Sequence, residues 1–450
     1  MPDILALLLC LQPCISATTA RQLSRIALGM LTMTGRVTMV GISRWTGDGG
    51  SYRTIQRFFA TALPWAHLFW RFFRQHLFQA DDVYLLAGDE VVVTKTGKTT
   101  AGVGRFFSSI YQRPVPGLAF FSLALVSTKD RRAFPVRIEQ VVRTDAEKAA
   151  TKAKTTAKKT KASAPKCKPG RPKGSKNKPK AAAPLSPELQ RIHRLVQELL
   201  SLIGGLFPLT YLLLDGHFGT GASLQMARQC NLHLISKLRF DAALYLPYAG
   251  PYQGRGPRRK YGAKLDPKHL PQEFLQQTSL EGGVETRISQ AEVLHKEFGQ
   301  PLNVVIIEKV NWSTHKRAHV LLFSSDLRLG YETLIEYYSL RFQIEFTFRD
   351  AKQYWGLEDF MTVTATGVSN AANLSLFLVN VSSVLLARSR QEDPQCSVLD
   401  LKAWYRGSKY VAELIQLLPE KPDDDLMAEL FRQMAQLGRI HPPEPRLSAA

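Results

Sequence analysis

The chain has 450 residues, which is long for one domain, and with 45% apolar and 22% charged residues it can build real cores, so disorder throughout is excluded. Lys and Arg number 59 against 38 Asp and Glu, and the net charge of +21 points to a polyanionic partner, either nucleic acid or an acidic membrane surface. Five scattered cysteines (Cys10, Cys14, Cys167, Cys230, Cys396) exclude a disulfide scaffold and fit a reducing cytosol, and Cys10 and Cys14 lack the second pair or nearby His that zinc needs.

The apolar run from Ile4 to Leu11 is short, follows no basic segment and precedes no cleavage motif, so it does not read as a signal peptide. Leu23, Ile26, Ala27, Met30 and Leu31 recur at helical spacing. Val37 to Trp45 follows, then a polar break at Gly47 to Gly50. Ser51 is the expected N-cap of a helix through Tyr52, Ile55, Phe58 and Phe59. Arg53, Gln56 and Arg57 lie on its other face. Two short helices about a Gly-rich turn, the second basic, suggest a helix-turn-helix-like DNA reader; a plain bundle with a solvated Arg face is the alternative.

Strand-like runs come next at Val83 to Val93, Leu118 to Val126 and Phe134 to Val142. Between Lys148 and Lys180 there are 13 basic residues and no acidic one, with no large apolar side chain, so this tract cannot build a core. It reads as a disordered basic tether. Within it, Lys168-Pro169-Gly170-Arg171-Pro172-Lys173 resembles an AT-hook, in which Arg171 would enter a narrow A·T-rich minor groove; a solvated linker touching phosphates is the equal alternative.

Ser186 is the expected N-cap and Pro187 the first residue of a helix to about Ile203. Thr210 to Leu214 reads as a strand ending at Asp215-Gly216, Gly221 to Gln229 as a helix and Leu232 to Leu238 as a strand. Three strands, helix, strand, helix, strand is the element order of a ribonuclease-H-like fold. Acidic residues in apolar strands are costly unless paired or bound to metal, and Asp89 and Asp215 stand in such places. Two such carboxylates on neighbouring strands could share a divalent cation, while each alone also fits a strand-end turn.

Phe240 to about Ser325 is β-rich, with runs at Leu244 to Leu246, Glu285 to Ile288, Val304 to Val310 and Ala318 to Phe323. Its Gly/Pro-rich loop carries Arg255, Arg258, Arg259 and Lys260, which suit phosphate contact or a solvated loop. Gly330 to Trp355 then reads as one long helix. At about 100° per residue, Tyr338, Arg341, Glu345 and Lys352 fall within roughly 60° of one another. One face thus carries a hydroxyl, two cations and a carboxylate; an i,i+4 ion pair explains Arg341 and Glu345 but not all four. The apolar stretch Leu374 to Ala387 is shorter than a membrane span and reads as a buried helix, which leaves nucleic acid as the leading partner.

Tyr338-x2-Arg341-x3-Glu345-x6-Lys352 resembles the Y-R-E-K pattern of bacterial insertion-sequence transposases of the DDE class, a group that excises DNA through hairpinned ends. The stretch GDEVVVTKTGKTTAGVGRFF around Asp89 resembles that group's first catalytic strand, Leu212 to Gly219 the second, and Leu234 to Arg239 the strand after it. The likeness runs from about residue 20 to about 390. It implies an α/β protein with a ribonuclease-H-like catalytic core, an all-β insertion and helical regions at both ends. The implied layout is a helical DNA-binding domain over 1–78, core over 79–147, 184–239 and 328–392, the basic tract over 148–183, the β-rich insertion over 240–327, and a helical, dimerising region over 393–450.

By the same resemblance, Asp89, Asp215 and Glu345 hold two Mg²⁺ ions, with Mn²⁺ as a substitute, for in-line phosphoryl transfer. Tyr338, Arg341 and Lys352 grip phosphates at the element end. Trp312 is the candidate for stacking on a flipped base, with burial in the sheet as its plainer role. The partners implied are double-stranded DNA, as inverted terminal repeats and target, and a second copy in a homodimer, with no membrane; the setting is a bacterial cytoplasm, on DNA. Two features depart from the group: Glu90 beside Asp89, of which strand alternation lets one serve, and the unusual length of the basic tract. A catalytically inactive transposase-derived DNA-binding protein is the alternative, and a ribonuclease-H-like nuclease without strand transfer a third reading.

Overall fold

A computed structural model describes residues 4–441 except 48, 109–110, 145–183, 253, 255–256 and 268. The basic tract with Arg171, and Arg255, therefore lie outside the described residues. The N-terminal region is helical: α1 Ile4–Leu8, α2 Ala17–Thr32, α3 Met39–Trp45, α4 Tyr52–Ala60 and α5 Trp65–His76. Hydroxyl side chains start three of them. Ser16, Thr38 and Ser51 accept from Thr19 N, Gly41 N and Thr54 N, which meets donors that a first turn leaves orphaned.

Twelve strands of the described residues form one sheet. β1 Tyr84–Thr94, β2 Gly104–Ser108, β3 Arg113–Ser127 and β4 Arg132–Gln140 come first. β3 pairs antiparallel with β1 on one side and with β2 and β4 on the other. Helix α6 Pro187–Ile203, begun by Ser186 and Pro187 and ended by Gly204 with φ 57°, leads to β5 Tyr211–Leu213. Helix α7 Gly221–Gln229 then leads to β6 His233–Leu238. β5 lies parallel to both β1 and β6, which is the pairing that helical crossovers produce.

Six more strands follow: β7 Leu244–Pro247, β8 Tyr261–Leu265, β9 Leu275–Glu281, β10 Val284–His295, β11 Leu302–Asn311 and β12 Arg317–Ser324. They continue the same sheet, because β12 pairs antiparallel with β6 from Leu321↔Leu238 to Ser324↔Ile235. β2, β8 and β9 leave little mark on the sequence pattern. They are short, or largely exposed as in β9, so the alternation that marks a half-buried strand is weak there.

Cores lie on both faces of the sheet. Leu85, Ala87, Val91 and Val93 of β1 join a core with the N-terminal and C-terminal helices, while Leu86 faces a second core with α6 and α7. Asp89 has the parity of the first set and Glu90 that of the second.

The single helix expected over Gly330 to Trp355 is two, α8 Tyr331–Leu340 and α9 Gln343–Tyr354. At the joint, Phe342 N donates to Ser339 O and Ile344 N to Arg341 O, so the ladder tightens to i→i+3 for one turn. Side-chain periodicity hardly changes across such a joint, and the pattern therefore hid it. The next helix, α10 Ala365–Ser389, corrects the argument from length. With 25 residues it is long and apolar enough to cross a membrane, yet 89% of its apolar window is buried within the protein. Its buried amide donors find protein partners: Asn370 Nδ2 donates to Phe59 O and Thr61 O, and Asn380 Nδ2 to Pro135 O, while Asn380 Oδ1 has none among the described residues. Helices α11 Val398–Leu417 and α12 Asp424–Met434 follow.

Candidate active site

Asp89 and Asp215 come from neighbouring parallel strands. The register Ala87↔Leu213, extended by two residues, sets Asp89 level with Asp215 just beyond the end of β5. Gly88 precedes Asp89 because a Cβ there would meet Phe121 and Leu214 at 2.8–2.9 Å. Past Asp215 the chain turns tightly: Asp215 Oδ1 accepts from His217 N at 3.1 Å, and Ser236 Oγ donates to Asp215 O at 2.7 Å. Gly219 completes the turn where a Cβ would strike Lys237 O.

Glu345, in the first turn of α9, is drawn to this place through Arg341. Arg341 is 9% exposed; its Nη1 donates to Asp89 Oδ2 at 3.2 Å and its Nη2 to Glu345 Oε1 at 3.0 Å. Asp89 Oδ1 accepts from Glu90 N at 2.8 Å. Burial pushes the Asp89 carboxyl up to about 6, and the charges of Asp215 and Glu345 add to the rise while Arg341 opposes it. Burial also raises the Tyr338 hydroxyl above its ordinary value; its ring centroid is 5.9 Å from Arg341 Cζ. Lys352 Nζ donates to Val92 O at 3.1 Å and pairs with Glu358 at 2.8 Å, which fastens α9 to β1.

The structure thus brings Asp89, Arg341, Glu345 and Tyr338 together, sets Asp215 beside Asp89, and places Lys352 about two turns further along α9. Glu90 points to the other face, toward Glu188, Arg143 and Arg191. Among the described residues no three His, Cys, Asp or Glu side chains already converge as a metal site. The guanidinium of Arg341 stands between two of the three carboxylates.

The other candidates lie apart. The tip after β11 carries Trp312, which is 56% exposed, so burial in the sheet is overturned. Trp312 N donates to Gly283 O. Since β12 runs antiparallel to β6, this tip projects from the end of the sheet at which Asp215 leaves β5. Arg258, Arg259 and Lys260 are exposed before β8, at the edge of the sheet remote from β1. Arg258 lies over the Tyr252 ring and Arg259 over the Tyr248 ring. Arg53 and Arg57 are exposed on α4. Sequence reasoning missed the pair Glu188–His217, 3.6 Å apart beside Asp215, whose contact raises the His217 pKa. Twenty-nine positions separate them in the chain, and no local pattern links them.

Set against known families, residues 10–291 match the model of the DDE superfamily endonuclease. The matched span holds Asp89 and Asp215 and stops before Glu345. No curated protein matches the chain.

Proposed function

The chain belongs to the DDE superfamily endonucleases, and from that membership we propose that it is a transposase that moves an insertion sequence by cut-and-paste, of the hairpin-forming group with the Y-R-E-K pattern. The observation that carries this reading is the level placement of Asp89 and Asp215 on adjacent parallel strands, with Glu345 tied to Asp89 by Arg341. The order β4-β3-β1-β5-β6, antiparallel through the first three and parallel through the last three, supports a ribonuclease-H-like core. On this reading 79–147, 184–239 and 328–392 make that core, 1–78 reads DNA, 240–327 is the insertion and 393–450 joins two copies. Exposed Leu414, Leu417 and Leu418 support the last of these.

The donor set fits a divalent cation: three carboxylates offer hard oxygens, and Asp89 is partly buried with few donors of its own and with like charges nearby. Asp89, Asp215 and Glu345 would hold Mg²⁺ or Mn²⁺, which when bound offsets the negative oxygens around the attacked phosphorus. The chain's own groups do the rest. Arg341 can turn its guanidinium from the carboxylates to a phosphate, a bidentate exchange of like partners. Tyr338 offers a hydroxyl beside it. Lys352, held on Val92 O and Glu358, supplies a point charge about two turns on from Glu345. Helix α4 with Arg53 and Arg57, the Arg258–Lys260 loop, and Arg171 in the basic tract suit backbone contacts away from the cut. Trp312 at its exposed tip suits stacking on a displaced base.

The test is nicking of DNA carrying the short inverted repeats that flank the gene, with and without Mg²⁺. Wild type should nick the repeat end, and Glu345→Gln should bind it without nicking. A wild-type protein that binds the repeat but never cuts in any divalent metal would leave the inactive DNA-binding reading in place of this one.

A further inference from the structure

Arg341 takes up carboxylate oxygens that a divalent cation would need. One guanidinium places Nη1 on Asp89 Oδ2 and Nη2 on Glu345 Oε1. Its Nε is buried and donates to nothing among the described residues. A bridge built only for stability would find an acceptor for that N–H, because an unpaired buried donor is costly. Arg341 also stands at the joint between α8 and α9. Its backbone N is shared between Tyr337 O and Tyr338 O, both at 3.3 Å, in the turn that belongs to neither helix. A tightened turn of this kind is where a helix can hinge. The bridging side chain is thus carried on a joint, outside the regular part of either helix.

While Arg341 bridges them, Asp89 and Glu345 share one positive charge, and the bridged oxygens open to a divalent cation only once it leaves. Leaving unaided would strand a guanidinium that is 9% exposed beside a second cation, and like charges at such range repel. A phosphate removes that penalty. It offers the guanidinium two oxygens in the same fork geometry as a carboxylate. We infer that Arg341 is an interlock between DNA and metal: its guanidinium holds Asp89 and Glu345 closed to a divalent cation until a DNA phosphate draws it away. The inference rests on the endonuclease reading above and deepens it, since cation loading comes to depend on DNA. By linkage the help is mutual, so the cation also tightens the hold on DNA. A chain built in this way carries no loaded nuclease site when it is away from DNA.

The test counts Mn²⁺ bound to the full chain from the paramagnetic resonance signal of the free ion, first without DNA and then with a duplex ending in the inverted repeat. Ions held by the DNA itself are subtracted with the Glu345→Gln complex. Wild type should bind Mn²⁺ about tenfold more tightly with the duplex, within the usual range of such couplings. Arg341→Gln should bind it about tenfold more tightly than wild type without DNA, and should gain less from the duplex. Lys352→Gln removes the same charge about two turns from Glu345 and should keep the wild-type pattern. Equal Mn²⁺ affinity with and without DNA in wild type would overturn the interlock. So would an Arg341→Gln protein that binds no tighter than wild type, as expected if the bridge merely preorganises the carboxylates. An equal gain in Lys352→Gln would reduce the effect to net charge and overturn it too. If Arg341→Gln does not fold by circular dichroism, Arg341→Lys takes its place; it keeps the charge, cannot fork across both carboxylates, and should show the same changes at smaller size. A wild type that nicks repeat ends yet binds Mn²⁺ equally well without DNA sinks the interlock alone, whereas one that binds neither Mn²⁺ nor the repeat takes the endonuclease reading with it.

Discussion

Two aspartates in this protein, one fully and one partly buried, are treated in opposite ways. Asp400, near the start of α11, has a fully buried side chain and accepts from five donors: Ser397 N and Oγ, Ile440 N, and His441 N and Nδ1. Those hydrogen bonds outweigh the cost of burial and hold its carboxyl well below the usual range. Among the described residues Asp89 accepts from Glu90 N and Arg341 alone, and burial leaves its carboxyl raised to about 6. Asp400 is satisfied by the chain and ties residues 440–441 to α11. Asp89 is left underserved on the face where two further carboxylates stand. A carboxylate that the fold does not satisfy is free to be satisfied by a ligand, and on the proposed reading this difference separates Asp400 as a structural acid from Asp89 as a working one.

Substitution at each should break the symmetry between them. The largest effect is on chemistry. Asp89→Asn, like Glu345→Gln, should lower DNA nicking by about a thousandfold or more, on the scale of removing a group that acts in the transition state. Its urea midpoint should match or exceed that of wild type, because an underserved buried charge is removed. A clear loss of stability with nicking intact would reverse the assignment. Asp400→Ala should do the opposite. It strands five donors and should cost about 3 kcal/mol in urea unfolding, as breaking a buried charged network does, while nicking measured well below its unfolding midpoint stays near wild type.

A tract of concentrated charge sharpens the contrast further. Between Lys148 and Lys180 the sequence holds 13 basic residues and no large apolar one, so on the proposed reading its charge acts on DNA through phosphate contacts. Deleting that tract should leave nicking chemistry in place and flatten the fall of log K with log salt by several units, since each released phosphate contact contributes about 0.9. An unchanged slope from a binding titration would mean that the tract does not touch DNA.

How far the sequence revealed these places follows from their physics. Asp89 and Asp215 were visible because a carboxylate inside an apolar strand is costly wherever it occurs, and Glu345 because its spacing from Tyr338, Arg341 and Lys352 fits one helix face. Strand alternation foretold that Asp89 and Glu90 would part to opposite faces. The joint at Arg341–Phe342 was hidden, since an i→i+3 turn barely disturbs the periodicity. The burial of α10 could not be read from its length, because core helices and membrane spans share composition and differ in what surrounds them. In the structure Ser397 and Asp400 form a capping box at the start of α11. Nothing local foretells that the same carboxylate also receives His441, 41 positions away. Nor does the chain disclose Lys402, whose Nζ is buried on Met30 O and against Trp355, with its pKa lowered to about 8 by burial.

The smallest effect is in the acid dependence of Asp400. Its pKa is depressed on folding, so the unfolded chain takes up the proton first as the solution is acidified. The stability it lends is whole above the unfolded value near 3.8 and drains away as pH falls below that toward the folded value. Urea midpoints of wild type and Asp400→Asn should therefore differ by a constant amount from pH 7 down to about pH 5 and converge below about pH 4, where the wild-type chain must protonate the same carboxyl to unfold. Other carboxylates titrate in this range in both proteins and cancel in the difference. Curves that stay parallel through the acid limb would show that Asp400 does not hold its proton affinity down in the folded chain, and the five donors would then have to be discounted as the reason the C-terminal segment stays in place.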